Sequence, residues 1–139
     1  MKQHDCKTEL NKANLRVTPA RIAILDLLEK TDKPIDIWNI IDYLQKQNIY
    51  TDPVTAFRII NIFTEKGLTK KIQFHERKFR YELANKPEHH HLICNLCRRV
   101  EDISNCNIRK LEKEILEKKK FIVKDHSLEF FGLCQNCQK

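Results

Sequence analysis

Residues 81–102, YELANKPEHHHLICNLCRRVED, form the stretch around which the rest of the chain is organised. Within it, Cys94 and Cys97 form a CxxC pair, and a second pair, Cys134 and Cys137, lies near the C-terminus. This spacing lets successive thiolates converge on one tetrahedral zinc ion. Because four thiolates leave no open coordination position for a substrate water, the two pairs predict a structural zinc ion that staples this part of the chain.

Three consecutive histidines, His89, His90 and His91, precede the first cysteine pair. If this segment forms a strand, His89 and His91 share one face and His90 points to the other. Glu82 would join the first face from the preceding hairpin, and Asp102 from the following strand. Two imidazoles and two carboxylates suit iron(II), manganese, cobalt or zinc, and they contain no thiolate to favour copper(I). We therefore predict a second metal site that bridges two halves of the chain and is a candidate switch.

The chain has 139 residues, enough for one ordinary domain or two small ones. Its formal net charge of +7 favours polyanionic partners, nucleic acid first. The polar N-terminus contains no apolar run that resembles a signal peptide, and no segment approaches membrane-spanning length. We therefore expect a cytoplasmic protein with no membrane partner. Thiols stay reduced in the cytoplasm, which favours metal ligation over disulfides for the cysteines of this chain. Cys6 and Cys106 are then free thiols or small apolar residues.

Three helical patterns and a hairpin occupy residues 15–83. A Thr-Pro pair at 18–19 supplies the N-cap and first residue of one helix, apolar spacing defines a second, and an Asp-Pro pair at 52–53 opens a third. Alternating apolar and polar residues around a polar turn then predict a two-stranded wing over residues 68–83. Three helices followed by such a hairpin make a winged helix-turn-helix, whose last helix enters the DNA major groove.

The outward face of the third helix is the predicted DNA-reading surface, because Ala56, Ile60 and Phe63 form its inward stripe. Phe57 would contact thymine methyl groups while Arg58 reads guanine or a phosphate. The alternative is that Phe57 packs at a helix edge and Arg58 is a solvated charge. Neighbouring basic residues would hold phosphates. The predicted DNA-contacting residues are Arg16, Arg21, Thr55, Phe57, Arg58 and Asn61.

A short aperiodic segment at 84–88 is the predicted hinge, and the chain beyond it alternates strand and helix patterns. The order β, β, α, β, β implies a small sheet whose open face is most economically covered by a second copy. We therefore predict an α+β homodimer, with residues 1–83 as a winged helix-turn-helix DNA-binding domain and residues 89–139 as a small α/β dimerisation and metal-binding domain. The strand candidates of this second domain are residues 89–94, 100–103, 121–123 and 128–131.

Together these segments resemble the ferric uptake regulator (Fur) family of bacterial metal-dependent repressors. The resemblance rests on RVTPAR at 16–21, TAFR at 55–58, HHHLICNLC at 89–97 and HSLEFFGLC at 126–134. It implies a homodimeric repressor, not an enzyme, that binds operator DNA and controls genes of metal uptake or homeostasis. It also implies a structural Zn²⁺ on the four cysteines and a regulatory Fe²⁺, Mn²⁺ or Zn²⁺. The implied ligands of the regulatory ion are Glu82, His89, His91 and Asp102.

Departures from the family pattern keep alternatives open at this regulatory site. Asp102 stands where iron regulators commonly have Glu, which favours the peroxide-sensing branch, in which bound iron(II) leads to oxidation of His89 or His91. A further histidine of many relatives falls near Lys33, which leaves four ligands and favours zinc. The zinc-uptake branch, however, often has Cys where Glu82 stands.

Three further positions differ from the family pattern. An accessory metal site in relatives uses residues matching His90 and His126 together with acidic ones, one of which is Arg109 here, so the resemblance carries this site over incompletely. Phe57 replaces the usual tyrosine and loses a hydroxyl contact. Arg98 occupies a position that is usually glycine, next to the first cysteine pair.

Two functions outside the family also remain in view. A zinc-dependent hydrolase would need an open coordination position and a general base, for which Glu88 or Glu101 could serve. No substrate-pocket motif accompanies the histidines, which argues against it. A zinc-stapled interaction module is the other possibility, and it would leave the winged-helix surface without a role.

Overall fold

The computed structural model describes residues 5–86, 88–104 and 106–138. By its internal contacts the chain divides into two compact units, Met1–Lys86 and Pro87–Lys139. The first unit is a helical domain with a small sheet, and the second is a small α/β unit, so the predicted α+β fold class holds. Within the described ranges, every helix falls short of the length and apolarity that a membrane crossing requires.

The first unit has the element order of a winged helix with an additional N-terminal helix. Its strands form an antiparallel sheet in the order β1-β3-β2, in which β2 and β3 are the wing. The helices are α1 (Cys6–Lys12), α2 (Pro19–Lys30), α3 (Ile37–Lys46) and α4 (Pro53–Glu65), and the strands are β1 (Ile35–Asp36), β2 (Thr69–Ile72) and β3 (Arg80–Leu83).

The three helices of the winged helix begin at capped residues. The side chains of Thr18, Asp36 and Asp52 each accept a hydrogen bond from a backbone N–H three residues further on. The side-chain oxygen of Asn39 in turn accepts a hydrogen bond from the backbone N–H of Asp36, which completes a capping box at the start of α3. These caps satisfy backbone donors that the first turns would otherwise leave unpaired, and they set where each helix starts.

The core of the first unit is formed by the inward faces of its helices and by β3. The predicted inward stripe of α4, Ala56, Ile60 and Phe63, is fully buried. Tyr81 of β3 and Leu10 of α1 are buried with it. Burial of each large apolar side chain contributes about 1.5–3 kcal/mol, so this core holds α4 firmly with its opposite face outward.

The second unit contains a three-stranded sheet of order β5-β4-β6. β4 pairs antiparallel with β5 and parallel with β6. The parallel pairing places Cys94 opposite Gly132, two residues before Cys134, so the sheet itself brings the two CxxC pairs together. The elements are β4 (His90–Cys94), β5 (Val100–Ile103), α5 (Ile108–Lys119), β6 (Glu129–Gly132) and a 3-10 turn (Gln135–Cys137).

Two features of the chain differ from the sequence prediction. The predicted strand at 121–123 is wrong: these residues form no strand, and Phe121 and Ile122 are 62% and 67% exposed. The order of the second unit is therefore β, β, α, β. The polar N-terminal segment also contains α1, a helix that was not predicted, which buries Cys6 and Leu10 against the core.

Candidate metal centres and DNA-binding surface

The four cysteines of the CxxC pairs form one cluster, here called the zinc cluster. One ligand atom from each of Cys94, Cys97, Cys134 and Cys137 lies within 4.8 Å of the others. The sulfurs of Cys97 and Cys134 are 3.7 Å apart. Four sulfurs at about 2.3 Å from a tetrahedral zinc ion would be separated by about 3.8 Å, so the distance between Cys97 and Cys134 matches that of two zinc ligands.

Backbone donors favour thiolate formation at the first cysteine of this cluster. The Sγ atom of Cys94 accepts from the backbone N–H groups of Cys134 at 3.4 Å and Cys97 at 3.5 Å. These bonds, first from Cys134 and then from Cys97, lower the pKa of Cys94 to about 6. The pKa of Cys137 is raised to about 12, mainly by its hydrogen bond with Cys134. The difference between these two pKa values reflects the cost of placing several thiolates close together. A divalent cation among the four sulfurs would offset that repulsion.

Arg98 follows the first cysteine pair in a left-handed backbone conformation, with φ of +66°. Its N–H donates to the carbonyl of Cys94 at 3.0 Å and so closes the turn around the zinc cluster. A left-handed residue with a Cβ atom is strained, which is why glycine is favoured at such positions. The turn therefore forms here at an energetic cost that a glycine would avoid.

Three of the four predicted ligands of the regulatory site belong to the second unit and lie together there. The ring centroids of His89 and His91 are 4.8 Å apart, with the ring planes nearly perpendicular. β-Sheet pairing places His91 opposite Asp102, and its Nε2 atom lies 3.6 Å from Oδ1 of that carboxylate. This distance is long for a hydrogen bond and close to the roughly 3.0–3.5 Å between two ligands that share an ion at about 2.1 Å.

The fourth predicted ligand, Glu82, belongs to the first unit. It lies on β3, where its backbone pairs with Lys70 of β2, and the residue is only 4% exposed. A carboxylate removed from water in this way needs a cation or hydrogen-bond donors to offset its lost hydration. Glu82 thus has the burial expected of a ligand rather than of a solvated wing residue.

His90 points away from these residues and meets His126. The two Nε2 atoms are 2.9 Å apart, and the ring centroids are 5.1 Å apart. Burial lowers the pKa of His90, and the neighbouring His126 lowers it further. The neutral imidazole that results is the form that binds metal ions.

Two acidic residues lie beside His90 and His126. The family resemblance seen in the sequence did not identify either of them as part of the accessory metal site. Oε1 of Glu88 lies 3.5 Å from Nε2 of His126, and Oε1 of Glu112 lies 3.3 Å from Nδ1 of the same ring. Glu88, His90 and His126 together have the spacing of a metal site, and they are called the accessory site below. Glu112 lies three residues after Arg109 on α5, and residues at this spacing share one face of a helix. Because Arg109 stands at an acidic position of the accessory site in relatives, this spacing was the sequence signal that could have identified Glu112.

The outward face of α4 presents most of the predicted DNA-contacting residues to solvent. Thr55 and Arg58 are exposed and Phe57 is 45% exposed, whereas Asn61 is half-buried. Two apolar residues at the start of this helix had not been predicted: Val54 is 59% exposed, and Tyr50, just before α4, is fully exposed.

The two predicted phosphate contacts, Arg16 and Arg21, lie next to each other at the start of α2. Nη1 of Arg21 donates to the carbonyl oxygen of Arg16 at 2.9 Å. This bond uses part of the Arg21 guanidinium and fixes its direction, while the Arg16 side chain stays exposed. On the wing, Nζ of Lys71 lies 3.8 Å above the ring of Phe79, which leaves its charge at the surface.

Comparison with known proteins places these features together in one group of proteins. The sequence model of the ferric uptake regulator family matches residues 12–131. The chain is 29% identical over 134 residues to the ferric uptake regulation protein of Bordetella parapertussis, covering 96% of each. Its structure is similar to the Vibrio cholerae ferric uptake regulator, with a TM-score of 0.82, 29% identity and coverage of 94% and 100%. A Francisella tularensis ferric uptake regulator solved with iron gives a TM-score of 0.80, 28% identity and coverage of 90% and 96%.

Proposed function

The chain belongs to the ferric uptake regulator family, and we propose that it is a repressor whose operator binding is controlled by a divalent ion on Glu82, His89, His91 and Asp102. The observation that carries the proposal is the grouping of His89, His91 and Asp102 inside the second unit. Because Glu82 comes from the DNA-binding unit, an ion held by all four residues would couple the two units.

The donor set of this regulatory site supports iron(II) as the controlling ion. Imidazole nitrogens and carboxylate oxygens suit iron, manganese and zinc. The Francisella tularensis relative was solved with iron, which supports iron(II) for this chain as well. Manganese and zinc are the alternatives. The ion would supply a positive charge at this position. The four ligand side chains would determine which metal binds, and Glu82 would connect the ion to the wing.

The zinc cluster has a different task in this proposal. Cys94, Cys97, Cys134 and Cys137 would hold Zn²⁺ with no open coordination position, so the ion stabilises the second unit and takes no part in regulation. Zinc binding of this kind is worth about 10–16 kcal/mol in small zinc peptides. That is enough to supply most of the folding free energy of so small a unit.

Operator DNA is the proposed partner of the first unit. The exposed face of α4 would enter the major groove, with Phe57 against thymine methyl groups and Arg58 on a guanine or a phosphate. Arg16 and Arg21 would hold the backbone of the duplex. A repressor of this kind acts in the cytoplasm, where its thiols stay reduced.

A second copy of the chain is the proposed partner of the second unit. This unit leaves several large apolar side chains at its surface, and a protein interface would remove them from water. A homodimer would bury them and place two reading helices on adjacent half-sites. The exposed large apolar residues of this unit are Leu96, Ile103, Leu111, Leu116, Phe121, Ile122, Phe130 and Leu133.

Peroxide sensing is a second candidate, and Asp102 favours it. Peroxide-sensing relatives have aspartate at this position, where iron regulators commonly have glutamate. In this account His89 or His91 would react with hydrogen peroxide to give its 2-oxo form and water, a reaction that iron(II) held by these residues would promote, and the oxidised side chain would bind the ion less well. Mass spectrometry of the iron-loaded protein after peroxide treatment decides between the two, because only a peroxide sensor gains an oxygen atom in the peptide that contains these histidines.

The accessory site would take a further ion on Glu88, His90 and His126. Oε1 of Glu112 lies 3.3 Å from Nδ1 of His126, which supports this role because metal-binding histidines commonly donate their other nitrogen to a carboxylate. Glu112 would thereby leave Nε2 of His126 unprotonated for the ion. The 2.9 Å between the two Nε2 atoms is shorter than the roughly 3.3 Å of two nitrogens on one tetrahedral zinc ion, so the rings would separate slightly on binding.

Metal analysis and DNA binding on one preparation test the repressor proposal. Protein purified without chelator is analysed for zinc, iron and manganese, and duplexes selected from a random pool serve as operator. Binding is then measured by fluorescence anisotropy after addition of iron(II), manganese or zinc. We expect tight, salt-sensitive binding only with the regulatory metal, while structural zinc is present throughout. Equal DNA affinity with and without added metal would contradict the proposal.

A further inference from the structure

Val54 is the second residue of α4, and more than half of its surface is in contact with water. It is 59% exposed, although valine is apolar and, as a β-branched residue, a weak helix former. Scattered apolar residues are common on protein surfaces. The place of Val54 on its helix therefore decides whether this exposure has a function.

Helix geometry places Val54 at the centre of the outward face of α4. Successive residues of an α-helix are rotated by about 100°, so the buried residues of α4 point about 170° away from Val54. By the same spacing Phe57 and Arg58 flank Val54 on either side, at about 60° and about 40°. Val54 is therefore the residue at the start of the helix that points most directly away from the core. The buried residues of α4 are Ala56, Ile59, Ile60 and Phe63.

The charges around Val54 suit a surface that binds a polyanion by its flanks. Arg58 is exposed on the same face of α4, and Lys71 is exposed on β2, which packs against this helix. The start of the helix does not offer a phosphate site of its own. Oδ1 of Asp52 accepts from the backbone N–H of Thr55 at 2.7 Å and so occupies a donor that a phosphate would need. The flanking cations would hold phosphates, which leaves Val54 to face the base edges between them.

The side chain of Val54 matches one feature of the major groove. Of the four bases, thymine alone presents a methyl group there, and the other edges present donors and acceptors that an aliphatic side chain would desolvate without pairing. Val54 precedes Phe57 by three residues, which is about 4.5 Å along the helix axis and close to the rise of about 3.4 Å of one base-pair step. The two apolar side chains would thus reach neighbouring base pairs.

We propose that Val54 is a specificity-determining residue, which reads the C5-methyl group of a thymine on the base pair next to the one that Phe57 contacts. This role rests on the proposed operator binding and deepens it, because it assigns one base of the half-site to a residue for which the sequence predicted no contact. Removing the methyl group from the base or truncating Val54 would break the same contact. The two changes should therefore not be additive.

Uracil substitution tests this contact, because uracil in place of thymine removes the C5-methyl group and nothing else. Duplexes selected with the metal-loaded parent chain are prepared with each thymine replaced in turn by uracil. Their affinities for the parent, Val54→Ala and Trp38→Ala are measured by fluorescence anisotropy at fixed ionic strength. Alanine is a better helix former than valine, so Val54→Ala does not weaken α4. Trp38→Ala is the matched control, because it removes a larger exposed apolar side chain from α3 of the same unit.

We expect one thymine at which uracil weakens binding to the parent roughly threefold or more, yet changes binding to Val54→Ala by less than about twofold. Trp38→Ala should reproduce every uracil effect of the parent. The role of Val54 is overturned if each uracil weakens binding to Val54→Ala as much as binding to the parent, or if Trp38→Ala loses the same effect. In either case metal-dependent binding by the parent would leave the repressor proposal standing. A parent that binds no selected duplex in response to metal would overturn both.

Discussion

The Nε2 atom of His90 lies 2.9 Å from the Nε2 atom of His126. Two imidazole nitrogens at this distance share either one proton or one cation, because two unprotonated nitrogens would repel each other. Oε1 of Glu112 lies 3.3 Å from the other nitrogen of His126, an arrangement that suits the second role. The pair therefore links β4 to the segment before β6.

Substitution of His126 by alanine should remove one bound ion per chain and leave the zinc of the cysteine cluster in place. The reason is that the accessory site would lose one of its two nitrogens, while the four thiolates are unaffected. Metal content after dialysis against a fixed concentration of free metal measures the loss. His75→Ala, on the wing, is the matched control and should keep the parental content. An unchanged metal content in the His126 variant would remove the accessory site from the account.

Substitution of Cys94 by serine should abolish zinc binding and unfold the second unit. Cys94 is the cysteine whose sulfur accepts two backbone N–H groups, so its loss removes both a ligand and the turn that presents the others. Zinc content and limited proteolysis measure the effect. Cys106→Ser removes a thiol outside the zinc cluster and should leave both properties unchanged. A protease-resistant second unit in zinc-free Cys94→Ser would show that the metal is dispensable for folding.

Substitution of Asp36 by asparagine should lower the free energy of unfolding of the first unit by about 1–2 kcal/mol at neutral pH. Oδ2 of Asp36 accepts from Nζ of Lys78 at 2.7 Å, whereas asparagine retains only the helix cap. Urea unfolding followed through Trp38, the single tryptophan, reports on this unit. Asp32→Asn, at an exposed position, is the control. Equal stability of Asp36→Asn and the parent would mean that the Lys78 contact contributes nothing.

The effect of Asp36 should also depend on pH. Burial acts to raise the pKa of Asp36, but the hydrogen bonds from Lys78 and from the backbone of Asn39 outweigh it, and the pKa falls below the ordinary 3.8. A lowered carboxyl pKa stabilises the fold above the unfolded-state value and loses that effect as pH falls through the folded-state value. The stability difference between parent and Asp36→Asn should therefore shrink below about pH 4.

Substitution of Arg98 by glycine should stabilise the second unit by about 1 kcal/mol, because φ of +66° is strained for any residue with a Cβ atom. Differential scanning calorimetry of the zinc-bound protein measures the gain. Arg98→Ala is the control, since it removes the same side chain but keeps the strain. If alanine stabilises as much as glycine, the arginine side chain and not the backbone is responsible.

The sequence was most informative where local chemistry determines structure. The N-cap at Thr18, the helix start at Asp52-Pro53, the inward stripe of α4 and the CxxC spacing each depend on neighbouring residues, and each of these predicted features is present. Family membership, once the motifs were recognised, followed from the same short segments.

The errors arose where contacts distant in sequence decide the structure. The apolar residues Phe121 and Ile122 have strand propensity, yet they find no neighbouring strand and remain exposed, so propensity alone misassigned them. α1 is polar overall and is held by the burial of Leu10, which no periodic pattern announced. Glu112 reaches His126 only because α5 and the segment before β6 are adjacent in the fold.

The regulatory role of an ion shared by the two units is tested most directly by comparing Glu82→Ala with Glu101→Ala. Glu101 is an exposed carboxylate beside Asp102, so its substitution removes equal charge without removing a predicted ligand. Operator affinity is measured by anisotropy across a titration of manganese or iron(II), with zinc content checked in each protein. We predict that Glu101→Ala responds to metal like the parent, whereas Glu82→Ala needs roughly tenfold more metal or more for the same DNA binding. Identical metal responses of Glu82→Ala and the parent would contradict the account.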